Sequence, residues 1–270
     1  MYNTRELQKR KVELDTHIAK CYLKLGSWKK ELEGFKDPAV ISTIINYYES
    51  AKDHNRDSYK AWQAWAYANY EAIQFYKNNA ILQRANPPQP TSPIASVRSN
   101  DSISSLVSAT LQHQLYLYVI PAIQGFFTCI KLSSAVSSSL NQEANCLQDT
   151  LRLLTIWFDY CNNAEIYDVL SEGIRHTPTE IWLQVIPQLI ASIDTNKQYV
   201  ARLIHNLLIE FGRVHPQALV YRLILASKCT NMNSNNAAPN YVNSNNSANN
   251  INSSNSFSRF VIFFEILFQF

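Results

Sequence analysis

At 270 residues the chain is long enough to bury a substantial core, as one long domain or two ordinary ones. Apolar residues make up 46% and charged residues 17%, a globular balance. A formal net charge of +3 is too small to hold nucleic acid by bulk electrostatics, so any anion site has to come from local lysines. The five cysteines (Cys21, Cys129, Cys146, Cys161, Cys229) form no C-x-x-C pair and read as buried thiols of a reducing compartment, not as a metal site or disulfide framework. The start, MYNTRELQKRK, lacks the apolar core of a signal peptide, and no apolar run reaches the ~20 residues of a bilayer span. The expected setting is cytoplasmic or nuclear.

Residues 4–25 predict a first helix with Leu7, Leu14, Ile18, Cys21, Tyr22 and Leu25 on its inner side. Gly26 is expected to close it before Trp28 begins the next element. The string AKCYLKLGSW (19–28) resembles the middle of a tetratricopeptide repeat. Asp37-Pro38 has the form of an N-cap with proline in the first turn, opening a helix that carries Ile41, Ile44, Ile45 and Tyr48. Asp57 is the expected cap of the helix that follows. That helix, Tyr59–Tyr76, contains no Pro or Gly and sets Trp62, Trp65, Asn69, Tyr70 and Ile73 on one side. Ala61, Ala64, Ala68 and Ala72 run beside them as a strip of small side chains. Large on one flank and small on the other suits a helix between two neighbours in a stack of helix pairs.

From Asn79 to about Ser105, Pro87, Pro88, Pro90 and Pro93 fall among Ser, Asn and Gln, which predicts a flexible insertion. A buried helix kinked at Pro121 is expected over Leu106–Leu132, and a second polar linker over Ser133–Asn145. The most regular block is Cys146–Cys229. Its first stripe is Leu147, Leu151, Leu154 and Phe158, and a second helix follows at about Ile166–His176. Thr177-Pro178-Thr179-Glu180 has capping-box spacing. It precedes the stripe Trp182, Val185, Ile186, Leu189 and Ile193, kinked at Pro187. Val200, Leu203, Ile204, Leu207 and Phe211 come next, ended by Gly212, and Pro216 opens a last helix through Leu219, Leu223 and Ile224. Helix pairs recurring at this spacing predict stacked repeats. Beyond Thr230 an Asn/Ser-rich stretch predicts disorder, and the apolar tail FSRFVIFFEILFQF has the look of a truncated end.

The expected fold is therefore all-α: an α-solenoid of helix pairs, tetratricopeptide-like over 1–78 and HEAT-like over 106–229. The disordered insertion occupies 79–105, and the low-complexity segment with its apolar tail occupies 230–270. No phosphate-binding glycine loop and no protein-kinase H-R-D or D-F-G motif occurs. Asp and Glu are scattered as on solvated faces. His17, His113, His205 and His215 read as structural or surface residues. No nucleophile–base arrangement stands out, so no catalytic residue is assigned. The Trp62, Trp65 and Tyr70 stripe reads as core packing, because its helix lacks a basic companion face. Lys20 and Lys24, four apart, share a helix face, and Lys60 begins a helix two elements later. By spacing alone, lysines on helices are usually solvated. Converged without carboxylates, they invite a polyanion.

Six blocks, taken in order, resemble the FAT region of the target-of-rapamycin (TOR) kinases, within the phosphatidylinositol-kinase-related family. They are CYLKLGSW (21–28), YYESAKDHNRDSYKAWQAWA (47–66), IPAIQGFF (120–127), LQDTLRLLTIWFDY (147–160), IWLQVIPQLIASIDT (181–195) and RLIHNLLIEFGRVHPQALVYRLILASK (202–228). The resemblance covers about residues 5–229. It implies a helical clamp that wraps and restrains a Ser/Thr protein kinase domain in nutrient and growth signalling. This chain would itself be without catalytic residues and would be a fragment or truncated gene model of the parent. The implied partners are the parent's kinase domain, its upstream repeats and TOR complex subunits, at endomembranes or the nucleus as well as in the cytoplasm. No nucleic acid and no membrane span are implied. The resemblance also implies inositol hexakisphosphate as a structural ligand, on the matching positions Lys20, Lys24 and Lys60. The competing reading is a free-standing helical-repeat adaptor that binds proteins and regulates no attached kinase. Other kinases sharing a FAT region are a lesser alternative.

Overall fold

In the computed structural model, which describes residues 4–85, 100–135, 140–193 and 195–224, every regular element is helical. Helix α1 (Thr4–Glu33) and α2 (Pro38–His54) form an antiparallel hairpin. Gly26 does not end α1: it is buried inside the helix, where a Cβ would lie 2.5 Å from Tyr48 Cε1. The glycine is there for close approach. The stop is Gly34, whose φ of 68° lies in the left-handed region and whose N–H donates to Lys30 O at 2.9 Å. Asp37 caps α2 as expected, accepting from Ala39 N–H, with Pro38 in the first turn. The cap of α3 (Tyr59–Ala85) falls on Ser58, one residue after Asp57: Ser58 Oγ accepts from Ala61 N–H at 3.4 Å.

Because close packing to α2 needs small side chains, α1 turns Ala19 and Gly26 inward, with Leu23 against the same core. The expected inner stripe goes elsewhere. Leu7, Leu14, Cys21 and Leu25 are exposed, not turned inward as expected. Helix α3 lies between two neighbours, as its pattern suggests. On one flank Trp65, Ala68 and Ala72 join Ile41, Ile44, Ile45 and Tyr48 of α2. On the other lies α4 (Asn100–Ala135). There Tyr67 and Tyr70 meet the Phe126 ring edge-on at 5.7 and 6.2 Å, and Tyr76 stacks on Tyr118 at 5.5 Å. Large and small residues are mixed on both flanks, not segregated as expected.

Helix α4 continues through Pro121. Its stretch His113–Ala135, 23 residues, is long and apolar enough by length and composition to cross a membrane, which corrects the expectation of a shorter apolar run. In this fold its Val119, Ala122, Ile123, Phe126, Cys129 and Ile130 are buried in a core helix. Helices reach into both expected linkers. Helix α3 runs to Ala85 and α4 starts at Asn100, while α4 ends at Ala135 and α5 (Leu140–Tyr160) starts five residues before Asn145. Residues 86–99, 136–139 and 225–270, with most of the insertion and the whole tail, lie outside the described residues. The buried side of α5 is also rotated from the expected stripe. Asp149, Thr150, Leu153, Leu154, Ile156 and Trp157 are buried, whereas Leu151 is partly exposed.

The chain divides within α5 into two compact units, Met1–Ile156 and Trp157–Phe270. In the second unit Asn163 caps α6 (Ala164–Arg175), accepting from Glu165 N–H at 2.8 Å. The expected capping box is not formed. Pro178 holds the cap position of the four-residue α7 (Thr179–Trp182), and Thr177 Oγ1 donates back to Gly173 O at 2.8 Å. A 3-10 turn (Leu183–Val185) and α8 (Ile186–Ala191) follow, so Pro187 sits in the first turn of a new helix and does not kink a long one. The stripe itself holds: Trp182, Val185, Ile186, Leu189 and Ile193 are all buried. Helix α9 (Gln198–Val214) passes through a buried Gly212, and residues 216–224 are helical again. Trp157 and Trp182 meet edge-on at 6.3 Å in this core. Lys197 Nζ donates to the Phe158 and Asp159 carbonyls and so satisfies the end of α5.

Gly125 gives the sharpest packing test. A Cβ there would sit 2.7 Å from Ala66 Cβ and 3.1 Å from Ala66 Cα, which is backbone and cannot swing away. Gly125→Ala should lower stability by about 1–2 kcal/mol despite the better helix propensity of alanine. Gly125→Val should cost more, and chemical denaturation of the three proteins reads the order.

Candidate functional site

Two polar clusters stand out against this frame. The first is the trio of lysines. Lys20 and Lys24 are exposed on α1 and Lys60 is exposed in the first turn of α3. Since α2 is antiparallel to both, α1 and α3 run parallel, and Lys30 Nζ meets Glu71 Oε2 between them at 2.8 Å. Stepping back eleven residues from each partner at about 1.5 Å per residue brings Lys60 level with Ala19, beside Lys20. Lys24 lies one turn further along. Lys20 also neighbours Leu23, one turn on, whose side chain packs against the α2–α3 core. Among the described residues no carboxylate pairs with any of the three, and no contact joins them to one another.

The sequence reading missed Lys52. It is buried on α2, with Nζ 4.6 Å from the Trp65 ring centroid and 5.3 Å from that of Trp62. Asp53 Oδ1 at 2.9 Å and Glu49 Oε1 at 3.7 Å pair its charge. The tryptophans therefore do have a basic companion, supplied by the neighbouring helix. The signal available was the row of basic residues at Lys52, Arg56 and Lys60, running directly into Trp62 and Trp65. Lys52 is a satisfied structural cation, not a free ligand group. Nearby, His54 Nδ1 lies 3.2 Å from Asp15 Oδ1, and its ring stacks on Tyr22 at 5.9 Å, tying α2 to α1.

The second cluster centres on Asp149, which is buried and not on a solvated face. Tyr59 OH donates to its Oδ2 at 2.7 Å, Gln63 Nε2 donates to Tyr59 OH at 2.9 Å, and Arg152 lies 4.0 Å over the Tyr67 ring while donating to the Tyr67 hydroxyl. Burial pushes the Asp149 carboxyl above its ordinary range, against the opposing pull of Tyr59 and Arg152. Burial first, with Asp149 second, raises Tyr67 to about 12, and burial then the Asp149 hydrogen bond raises Tyr59 as well. Burial likewise raises the Cys129 and Cys146 thiols, so nothing in the cluster is an activated nucleophile. It is a polar bolt between α3 and α5. Of the remaining thiols, Cys161 is buried but Cys21 is exposed, against the expectation that all are buried, and Cys229 lies outside the described residues.

Comparison with known proteins decides what kind of frame this is. Residues 2–155 match the FAT domain. The chain belongs to the FAT-domain family. Further along this FAT chain, residues 165–262 match the HEAT repeats described as Serine/threonine-protein kinase ATR-like. The change from one match to the other falls beside the division at Ile156. Among curated relatives it is 40% identical to the serine/threonine-protein kinase mTor of Drosophila melanogaster, over 82% of this chain and 8% of the relative. It is 36% identical to the serine/threonine-protein kinase tor1 of Schizosaccharomyces pombe, over 84% of this chain and 8% of the relative. Against the serine/threonine-protein kinase TOR2 of Saccharomyces cerevisiae it is 32% identical, over 82% of this chain and 9% of the relative. The FAT chain thus spans under a tenth of the length of the relatives it matches.

The Asp149 cluster makes a pH prediction. Its folded pKa is raised, so its stabilising contribution is full below the unfolded value of about 3.9 and is lost as pH rises through the folded pKa. Asp149→Asn removes this dependence. On acidification from pH 7 toward 4 the native chain should gain stability relative to the Asn variant, read from denaturant midpoints. Tyr59→Phe removes the donor to a buried carboxylate and should cost about 1–3 kcal/mol at pH 7.

Proposed function

We propose that the chain is a scaffold segment of a TOR-type Ser/Thr protein kinase, a helical clamp that restrains and supports the kinase domain. The observation that carries this reading is the FAT match over residues 2–155 together with 32–40% identity to TOR kinases across most of the chain. A clamp needs stiffness and no chemistry of its own. Close helix contacts at Gly26 and Gly125 suit that role, as does a buried polar cluster whose ionisable groups are all held away from reactivity. Its partners are the parent's kinase domain, further helical repeats and TOR complex subunits, in the cytoplasm or at endomembrane and nuclear sites of the complex.

The same reading assigns inositol hexakisphosphate to Lys20, Lys24 and Lys60. The shared level of Lys20 and Lys60 on parallel helices supports it, as does the lack of described carboxylates competing for these ammonium groups. Each lysine acts as a point charge, so binding weakens steeply with salt.

A titration of the chain with inositol hexakisphosphate tests the ligand. At a hundredfold excess over Kd, binding adds about 2.7 kcal/mol, a rise of roughly 5 °C or more in melting temperature for a domain of this size. Lys24→Glu/Lys60→Glu should abolish most of that rise, and a variant that keeps the full rise overturns the lysine assignment. The clamp itself is tested in the kinase that carries this segment. Gly125→Val should alter kinase activity without touching a catalytic group, and unaltered activity with a loosened segment counts against restraint.

A further inference from the structure

We draw no further inference here: the strongest candidate, the side-chain cluster in which the free thiols of Cys129 on α4 and Cys146 on α5 lie near the buried Asp149, belongs to the polar cluster already described, and burial holds both thiols protonated, so neither is a nucleophile that could start a disulfide switch.

Discussion

The arrangement of the first unit depends on how closely α3 can be approached from both sides. On the α4 side the contact is backbone against side chain, Gly125 on Ala66, with no room for a methyl group. On the α2 side Ala68 and Ala72 let Ile41, Ile44 and Tyr48 close over them. Small residues at these points bring the helices together, and the aromatic rings then fill the space that remains above and below: Tyr67 and Tyr70 around Phe126, Tyr76 on Tyr118. The aromatic content of the chain is thus used in flat, directional contacts whose geometry depends on the glycine and alanine contacts being made first.

Polar groups complete the frame in places where apolar packing alone would leave register loose. Lys52 is held over two indole rings and paired with Asp53 and Glu49, which fixes the end of α2 against the start of α3. Asp149 does the same for α5 and α3 through Tyr59. A buried carboxylate is a costly way to join two helices, and its value lies in specificity: only one sliding register satisfies the hydroxyl. Both contacts lie within the stretch that matches the FAT domain.

Local signals in the chain were readable because their physics is local. Asp37 capped the helix it was expected to cap, and the 182–193 stripe was buried although its helix broke into pieces. The failures were of two kinds. Gly26 and Gly212 fit helix ends by sequence, yet a glycine inside a helix and a glycine after one look alike until a neighbour is present to explain the missing side chain. Asp149 looks like any solvated carboxylate in sequence, because its partner, Tyr59, lies ninety residues away and no spacing rule reaches that far. Of the candidate site, the three lysines could be named and their shared level could not, since that rests on the Lys30–Glu71 contact.

Helix class, most helix starts, the lack of catalytic motifs and the FAT resemblance were determined by the sequence alone, since each depends on neighbouring residues or on whole phrases of them. Tertiary structure decided which face of α1 is used. The helix carries two faces able to pack: the apolar stripe of Leu7, Leu14, Ile18, Cys21 and Leu25, and the narrower one of Ala19, Leu23 and Gly26. Periodicity favours the larger row. Close approach favours the smaller, because Tyr48 fits only against a glycine, and among the described residues it is the smaller face that packs against α2.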